Sequence, residues 1–479
     1  MHITILGYIF IPLGMVLFFF LKSDYLLFLT VMFSGFTASS VINVEYISFG
    51  LAPSYYFGML FIIKYIFIVL KNKNLVKPNF YLALFIIISF ISMMLSKFLN
   101  NEGILVYGIG NGLRLKVVEF SMQNITQYMY LIFAFIIYWL IKDRLKDDIS
   151  FINKIIKVYL FSGFIISLIG FYQVVAYYYN LSFDIIFRSN PLGWQQGIRI
   201  YAVAAEPSMM AYFIVPTLSL AFSYKKKVGG LNSYIIFILL FILGVLTTST
   251  TFLIGIIGFA VVYFFRNIIN YRTIIKYLTF VGVLVFIVIV IFNFNEEIRI
   301  RLWDKSIAKL QLNNASGVSR YEVFSQMISV GFMYPFFGVG FGSGRSTDLY
   351  SHLFATTGII GSATFFIYIF YSFYKMLKYS RKNYLKEISD GYVYFLFTFL
   401  ICSISVPEFM FLFFWVNFGV IDSIILSYKS FETCNKRNID KNLQKKCYKN
   451  IRDIKIERRW KVIVFLYMFY SISCIIKFM

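Results

Sequence analysis

The feature that most constrains this chain is a series of unbroken apolar runs, each roughly 17–23 residues long, the length at which a helix crosses a hydrocarbon layer of about 30 Å. A membrane barrel would need strands of about ten residues with alternating faces, and these runs are continuous. With 59% hydrophobic and 14% charged residues, a water-soluble fold of this chain would lack the polar surface to cover itself. In lipid, helices satisfy their own backbone hydrogen bonds. The expected fold class is therefore an all-α polytopic membrane protein with about 12–14 transmembrane helices, a single integral membrane domain over 1–479.

Candidate spans fall at 3–21, 25–43, 53–70, 79–98, 124–141, 157–179, 207–223, 274–292 and 354–376. Two more form a hairpin around TTSTT (247–251), another pair meets near Pro407-Glu408, and a last one covers 461–478. The first run lacks a basic start and a small-residue cleavage site, so a retained span is expected rather than a signal peptide. The net charge of +23 is concentrated in short loops such as KNKNLVK (71–77), KKK (225–227) and KYSRKNYLK (378–386), and in a basic segment at 429–460. Such clusters mark the cytoplasmic side and suit anionic headgroups; no basic-aromatic motif points to nucleic acid. Their alternation places both termini outside. The four cysteines form no C-x-x-C pair, and none lies in a segment expected outside.

Three segments are then extracytoplasmic: the loop NNEGILVYGIGNGLRLKVVEFSMQN after the span at 79–98, the loop 180–206, and a large loop at 293–353. A polar loop of that length between spans usually has a task. Of thirty lysines only five fall on this side, whereas seven of fifteen arginines do: Arg114, Arg188, Arg199, Arg299, Arg301, Arg320 and Arg345. The positive-inside bias excludes both residue types alike. What arginine adds is a planar fork that grips phosphate or carboxylate in two places. The bland alternative is pairing with acids of the same loops, such as Glu296, Glu297, Asp304, Glu322 and Asp348, or contact with outer-leaflet phosphates.

Gly338-Val-Gly340-Phe-Gly342-Ser-Gly344 lets backbone amides approach an anion, or makes a tight re-entrant turn. Its spacing is not that of a dinucleotide fingerprint. Glu206-Pro207-Ser208 is either a helix cap or a carboxylate able to deprotonate a hydroxyl. His352, seven residues after Arg345, is a second candidate base, and Glu408 a further polar contact. No Asp-x-Asp or histidine cluster suggests a metal site, and no cofactor is expected.

The segment from Arg320 to Gly361, RYEVFSQMISVGFMYPFFGVGFGSGRSTDLYSHLFATTGIIG, resembles the O-antigen and capsule polymerase (Wzy-type) and O-antigen ligase superfamily. An arginine-led amphipathic helix, a P-x-x-G-x-G turn and a span with a G-I-I-G step carry the likeness. Arg199 followed by AEPS is similar to the R…EPS pattern of exopolysaccharide polymerases. The resemblance covers about a quarter of the chain by motif.

What it implies is a GT-C-like helical fold in the bacterial cytoplasmic membrane, performing metal-independent glycosyl transfer at the outer face. Donor and acceptor would be glycans linked to undecaprenyl pyrophosphate, with a chain-length regulator and a flippase as neighbours. Arg199 and Arg320 or Arg345 match the family's pyrophosphate-facing loop arginines. The ligases' His-Asn pair is replaced here by Ser351-His352-Leu353, which favours polymerase over ligase. The non-enzymatic alternative is a flippase or another transporter, which should line a central cavity with charge. The spans seen in the sequence carry little charge apart from Lys64.

Overall fold

The computed structural model describes residues 2–44, 49–72, 75–99, 102–108, 114–146, 148–183, 187, 199–267, 315–380 and 386–436, with isolated positions between 279 and 313. Apart from those isolated positions, the span expected at 274–292 and the first part of the large loop lie outside the described residues, as do the remainder of the basic segment and the span at 461–478.

Helices dominate. In chain order they are α1 (Ile5–Phe20), α2 (Ser23–Met32), α3 (Pro53–Asn72), α4 (Phe80–Leu95), α5 (Met122–Leu145), α6 (Ile149–Tyr179), α7 (Pro207–Ser223), α8 (Ser233–Leu246), α9 (Thr250–Asn267), α10 (Ala315–Met333), α11 (Leu349–Tyr379), α12 (Lys386–Cys402) and α13 (Leu412–Lys436). A single helical turn at Glu296–Arg299 precedes α10. Among the described residues, α3, α5, α6, α11 and α13 are long and apolar enough to cross a membrane, and six further apolar helices are shorter.

Burial separates centre from rim. In α13 the apolar window is 89% buried, in α3 only 33%. α13 is thus the axis of the bundle, packed on α5, while α7 packs on α8 and α12 and α4 on α11. The rim displays Phe19, Phe20, Phe67, Leu70 and Phe80 outward, an apolar surface that suits hydrocarbon and would be unfavourable in water. Lys64 on α3 turns inward, donating to the carbonyls of Leu17, Phe18 and Leu21 at the end of α1. Its charge is spent on capping that helix.

The run expected to span 25–43 does not. α2 stops at Met32, and the chain turns through Ser34 and Phe36 before joining β2. The small and hydroxylated residues of SGFTASS favour turns over helix. Short antiparallel pairings are the second departure from an all-helical reading. β1 (His2–Ile3), β2 (Ile42–Val44) and β3 (Phe49–Leu51) form a three-stranded sheet, with β4 (Leu105–Tyr107) on β5 (Leu115–Val117) and β6 (Lys227–Val228) on β7 (Leu231–Asn232). β4 pairs with β5 through Val106 opposite Lys116.

α11 is broken near its start. Gly358 has φ +66° inside the helix, and a side chain there would collide with the Phe336 carbonyl. The break is filled by the turn after α10: Val339 N donates to Ala355 O (2.9 Å), Ile359 N to Pro335 O (2.7 Å) and Ile360 N to Phe336 O (3.3 Å). The P-x-x-G turn and the G-I-I-G step are two halves of one backbone junction.

Candidate active site

Three irregular segments converge at one end of the bundle: the glycine turn between α10 and α11, the loop 403–411 between α12 and α13, and the start of α7. Backbone and hydroxyl bonds hold them in place. Arg345 N donates to Tyr107 O at 2.8 Å, tying the end of the glycine turn to β4, and Leu349 N donates to Ser403 O at 2.9 Å. Asn124 at the head of α5 donates to Phe341 O (2.9 Å) and Ser343 Oγ (2.8 Å). The Ser403 hydroxyl meets Tyr212 on α7 at 2.8 Å, and that of Ser405 meets Thr251 on α9 at 2.7 Å.

Upon this frame sit Glu206, Arg320, Arg345, His352 and Glu408. Arg345 Nη2 lies 2.8 Å from Glu408 Oε1, with both side chains partly exposed. Arg320 Nη1 donates to Ser405 O at 3.0 Å, and its own carbonyl accepts from Thr347 Oγ1. Burial lowers the Arg320 pKa; the Glu206 carboxylate raises it, and Arg345 adds to the lowering. A guanidinium stays charged through such a shift, so Arg320 and Arg345 act on one another as like charges, with Glu206 within electrostatic reach of Arg320 and Glu408 bonded to Arg345.

Glu206 is the N-cap of α7 and Pro207 its first residue, yet the carboxylate makes no capping bond to the first-turn amides. It is exposed and accepts from the Ser208 hydroxyl at 3.2 Å. His352 is buried, its ring 6.4 Å from that of Phe409, and its Nδ1 has no hydrogen-bond partner. The Arg345 guanidinium is near enough for the two charges to interact.

The other sequence candidates have different surroundings. Gly340 (φ +119°) and Gly342 (φ +81°) adopt conformations that favour glycine. A side chain at Gly340 would press on Ser96, and one at Gly342 would come within 2.8 Å of Asn124 Cα. Both therefore serve close chain packing. Arg299 is exposed and bonded to Glu296 at 2.7 Å within its own turn, one of the local pairings anticipated as the bland alternative. Arg114 is exposed at the β5 end of its hairpin, where its carbonyl accepts from Gly108 N. Arg199 is half-buried. The backbone just after it is fixed by Leu246 O and by the Gln173 side chain, which accepts from Tyr201 N and Ala202 N. Arg188 and Arg301 lie outside the described residues.

No protein-family model matches this chain, and no curated protein matches it.

Two groups escaped the sequence reading. Tyr55, at the head of α3, has its ring 5.3 Å from that of Tyr130 on α5 and 4.9 Å from that of Phe133. Its hydroxyl is within electrostatic reach of Glu408. At the opposite end of the bundle, Lys142 and Asp422 form a buried ion pair at 3.1 Å. Tyr138 donates to the same Asp422 oxygen at 2.5 Å and accepts from Asn79 N at 3.0 Å. Asp422 is a lone acid in an apolar run, so the charge-poor picture of the spans needs this correction.

Proposed function

We propose that the chain polymerises lipid-linked oligosaccharide repeat units at the outer face of the bacterial cytoplasmic membrane, with a polyprenyl pyrophosphate as leaving group. The observation that carries this reading is that Arg320, bonded to Ser405 O, and Arg345, bonded to Glu408, engage the same loop, with Glu206 within electrostatic reach of Arg320, at one end of a bundle of apolar helices. Arg320 and Arg345 repel one another electrostatically, and an anion within reach of both would relieve that repulsion. A pyrophosphate has the charge and the oxygen spacing to accept from both forks.

In the proposed step, a hydroxyl oxygen of the acceptor sugar attacks the anomeric carbon of the donor's reducing-end sugar. The anomeric C–O bond to phosphate breaks, its electron pair leaves with the pyrophosphate, and the hydroxyl proton passes to the Glu206 carboxylate. Glu206 suits that role better than His352 because it is exposed, whereas the imidazole is buried. Arg320 and Arg345 stabilise charge as it develops on the leaving group, the kind of preorganised electrostatic help that supplies much of enzymatic acceleration.

Reconstitution with a defined polyprenyl-pyrophosphate-linked repeat unit tests this reading. A ladder of products, formed with EDTA present, is the expected result; unchanged substrate would overturn it. Gene deletion separates the polymerase from a ligase: loss of a polymerase leaves single-repeat material, and loss of a ligase lets lipid-linked polymer accumulate. The buried Lys142–Asp422 pair favours a second reading, a transporter. Flux of a labelled lipid-linked oligosaccharide across vesicles, lost in Asp422→Asn, would support that reading instead.

A further inference from the structure

The segment between Arg199 and Glu206 is irregular backbone, yet Ile200, Ala202, Val203 and Ala204 are buried. Backbone groups in such a place need partners, because water does not reach them. Ile200 N donates to Leu246 O of α8 at 3.2 Å, and Ala38 N reaches Val203 O at 2.9 Å from the turn after α2. The next two amides depend on a single side chain. Gln173 Oε1 on α6 accepts from Tyr201 N at 3.1 Å and from Ala202 N at 2.8 Å. Ala204 N then closes the turn on Tyr201 O at 2.9 Å.

Two observations set this side chain apart. Ala202 has φ +46°, in the left-handed region that a residue with a Cβ seldom adopts, so its conformation needs holding. Gln173 is fully buried, and its Nε2 has no hydrogen-bond partner. A buried donor left unpaired costs free energy, and the two bonds at Oε1 keep the amide from turning it elsewhere. The work of the oxygen offsets that cost. Gly170, one turn earlier on α6, leaves the space this contact needs: a Cβ there would collide with Leu243 and lie 3.4 Å from Ile200 Cγ2.

We infer that Gln173 is a positioning residue, whose side-chain oxygen holds the turn Tyr201–Ala204 and thereby fixes where Glu206 stands at the head of α7. Only Ala205 separates that turn from Glu206. On the other side, Met210 N donates to Glu206 O at 3.0 Å. The Glu206 carboxylate makes no capping bond, so the backbone on either side sets its place. This inference rests on the proposed function only for the chemistry assigned to Glu206; the clamp on the turn does not.

The test uses the full chain in detergent. Gln173→Met keeps the length of the side chain and removes the acceptor. Gln173→Asn sets the same amide back by one methylene, and carries the test where thermal unfolding shows the methionine variant unfolded. Each variant is measured for hydrogen exchange at the amides of residues 200–208 and for turnover of the polyprenyl-pyrophosphate-linked repeat unit. The expected result is faster exchange in that segment and kcat lowered about 10- to 100-fold with KM little changed, the loss that follows when a catalytic group is slightly misplaced. Ala202→Gly supplies a rescue. Glycine takes a positive φ unaided, so the double variant with Gln173→Met should regain part of the lost kcat.

Folded variants with unchanged exchange in this segment would overturn the clamp. Faster exchange with wild-type kcat, or a double variant no more active than Gln173→Met, would overturn the positioning role and leave the proposed function standing. A wild-type chain that makes no polymer would sink the proposed function, and hydrogen exchange would still decide the clamp.

Discussion

Arg345 Nη2 stands 2.8 Å from Glu408 Oε1, and this one contact joins the end of the glycine turn to the loop between α12 and α13. The two residues are 63 positions apart, and neither lies on a helix. Their meeting depends on the frame around them: Arg345 N on Tyr107 O, Leu349 N on Ser403 O, and the α11 break filled by the turn after α10. Arg345→Ala removes the fork and leaves Glu408 without its cation. Charge-assisted hydrogen bonds are worth about 1.5–3 kcal/mol each, so turnover in the reconstituted assay should fall roughly 10- to 100-fold. Arg345→Lys should recover only part of that, since an ammonium lacks the planar fork that grips an oxyanion in two places. Equal activity in wild type and the lysine variant would show that charge alone suffices.

Arg199→Lys is a separate test of the fork. Arg199 lies in the segment leading to Glu206 and is half-buried. If it too grips pyrophosphate in two places, the lysine variant should make shorter polymer at an unchanged protein level, read from a product ladder. Polymer of wild-type length from this variant would restrict phosphate contact to Arg320 and Arg345.

Glu206→Gln keeps the shape of the α7 cap and removes the proton acceptor. Because the side chain makes no capping bond, stability should change little. A lost general base typically lowers rate by about 10²–10⁴, so kcat should drop by that order with KM nearly constant. His352→Gln should reduce kcat far less, its imidazole being buried behind Phe409. The reverse ranking in single-turnover measurements would exchange the roles of the two residues.

Much of this architecture can be read from the apolar runs, because a run of span length leaves a helix few alternatives. The runs at 53–70, 124–141 and 157–179 became α3, α5 and α6 with modest changes at their ends. The run at 25–43 misled, since an apolar average conceals the turn-forming SGFTASS inside it. Glu206, Arg320, Arg345, His352 and Glu408 could each be named from residue type and position. That they converge could not, because it depends on where Gly358 breaks α11 and which backbone enters the gap. Tyr55 and Tyr130 carried no signal in a chain with 37 tyrosines and 58 phenylalanines. Asp422 is a single acid in an apolar run, and its partner Lys142 lies 280 positions earlier on α5.

Gly358→Ala tests that junction. Its positive φ and the facing Phe336 carbonyl leave no room for a methyl group. Strain of this kind costs on the order of 1–3 kcal/mol before any clash is relieved. The variant should unfold at lower temperature and lose activity, because displacing the turn moves Arg345 with it. Ala355→Gly, one turn earlier on α11, keeps the same hydrogen bond from Val339 N and should have a milder effect.

The Lys142–Asp422 pair gives a prediction of opposite character. Both side chains are buried, and Tyr138 shares the same carboxylate oxygen. Removing one partner strands the other charge away from water, which typically costs about 3–5 kcal/mol. Asp422→Leu and Lys142→Met should therefore each destabilise strongly. The double variant should regain much of the loss, because two apolar side chains of similar volume need no partner. The site with Arg345 and Glu408 is at the far end of α13, so polymer formed per folded molecule should be the same in the double variant as in wild type. Thermal unfolding in detergent measures the first expectation and product ladders normalised to folded protein the second. Recovered stability with abolished activity would mean that the buried pair takes part in function, and would return the transporter reading to the front.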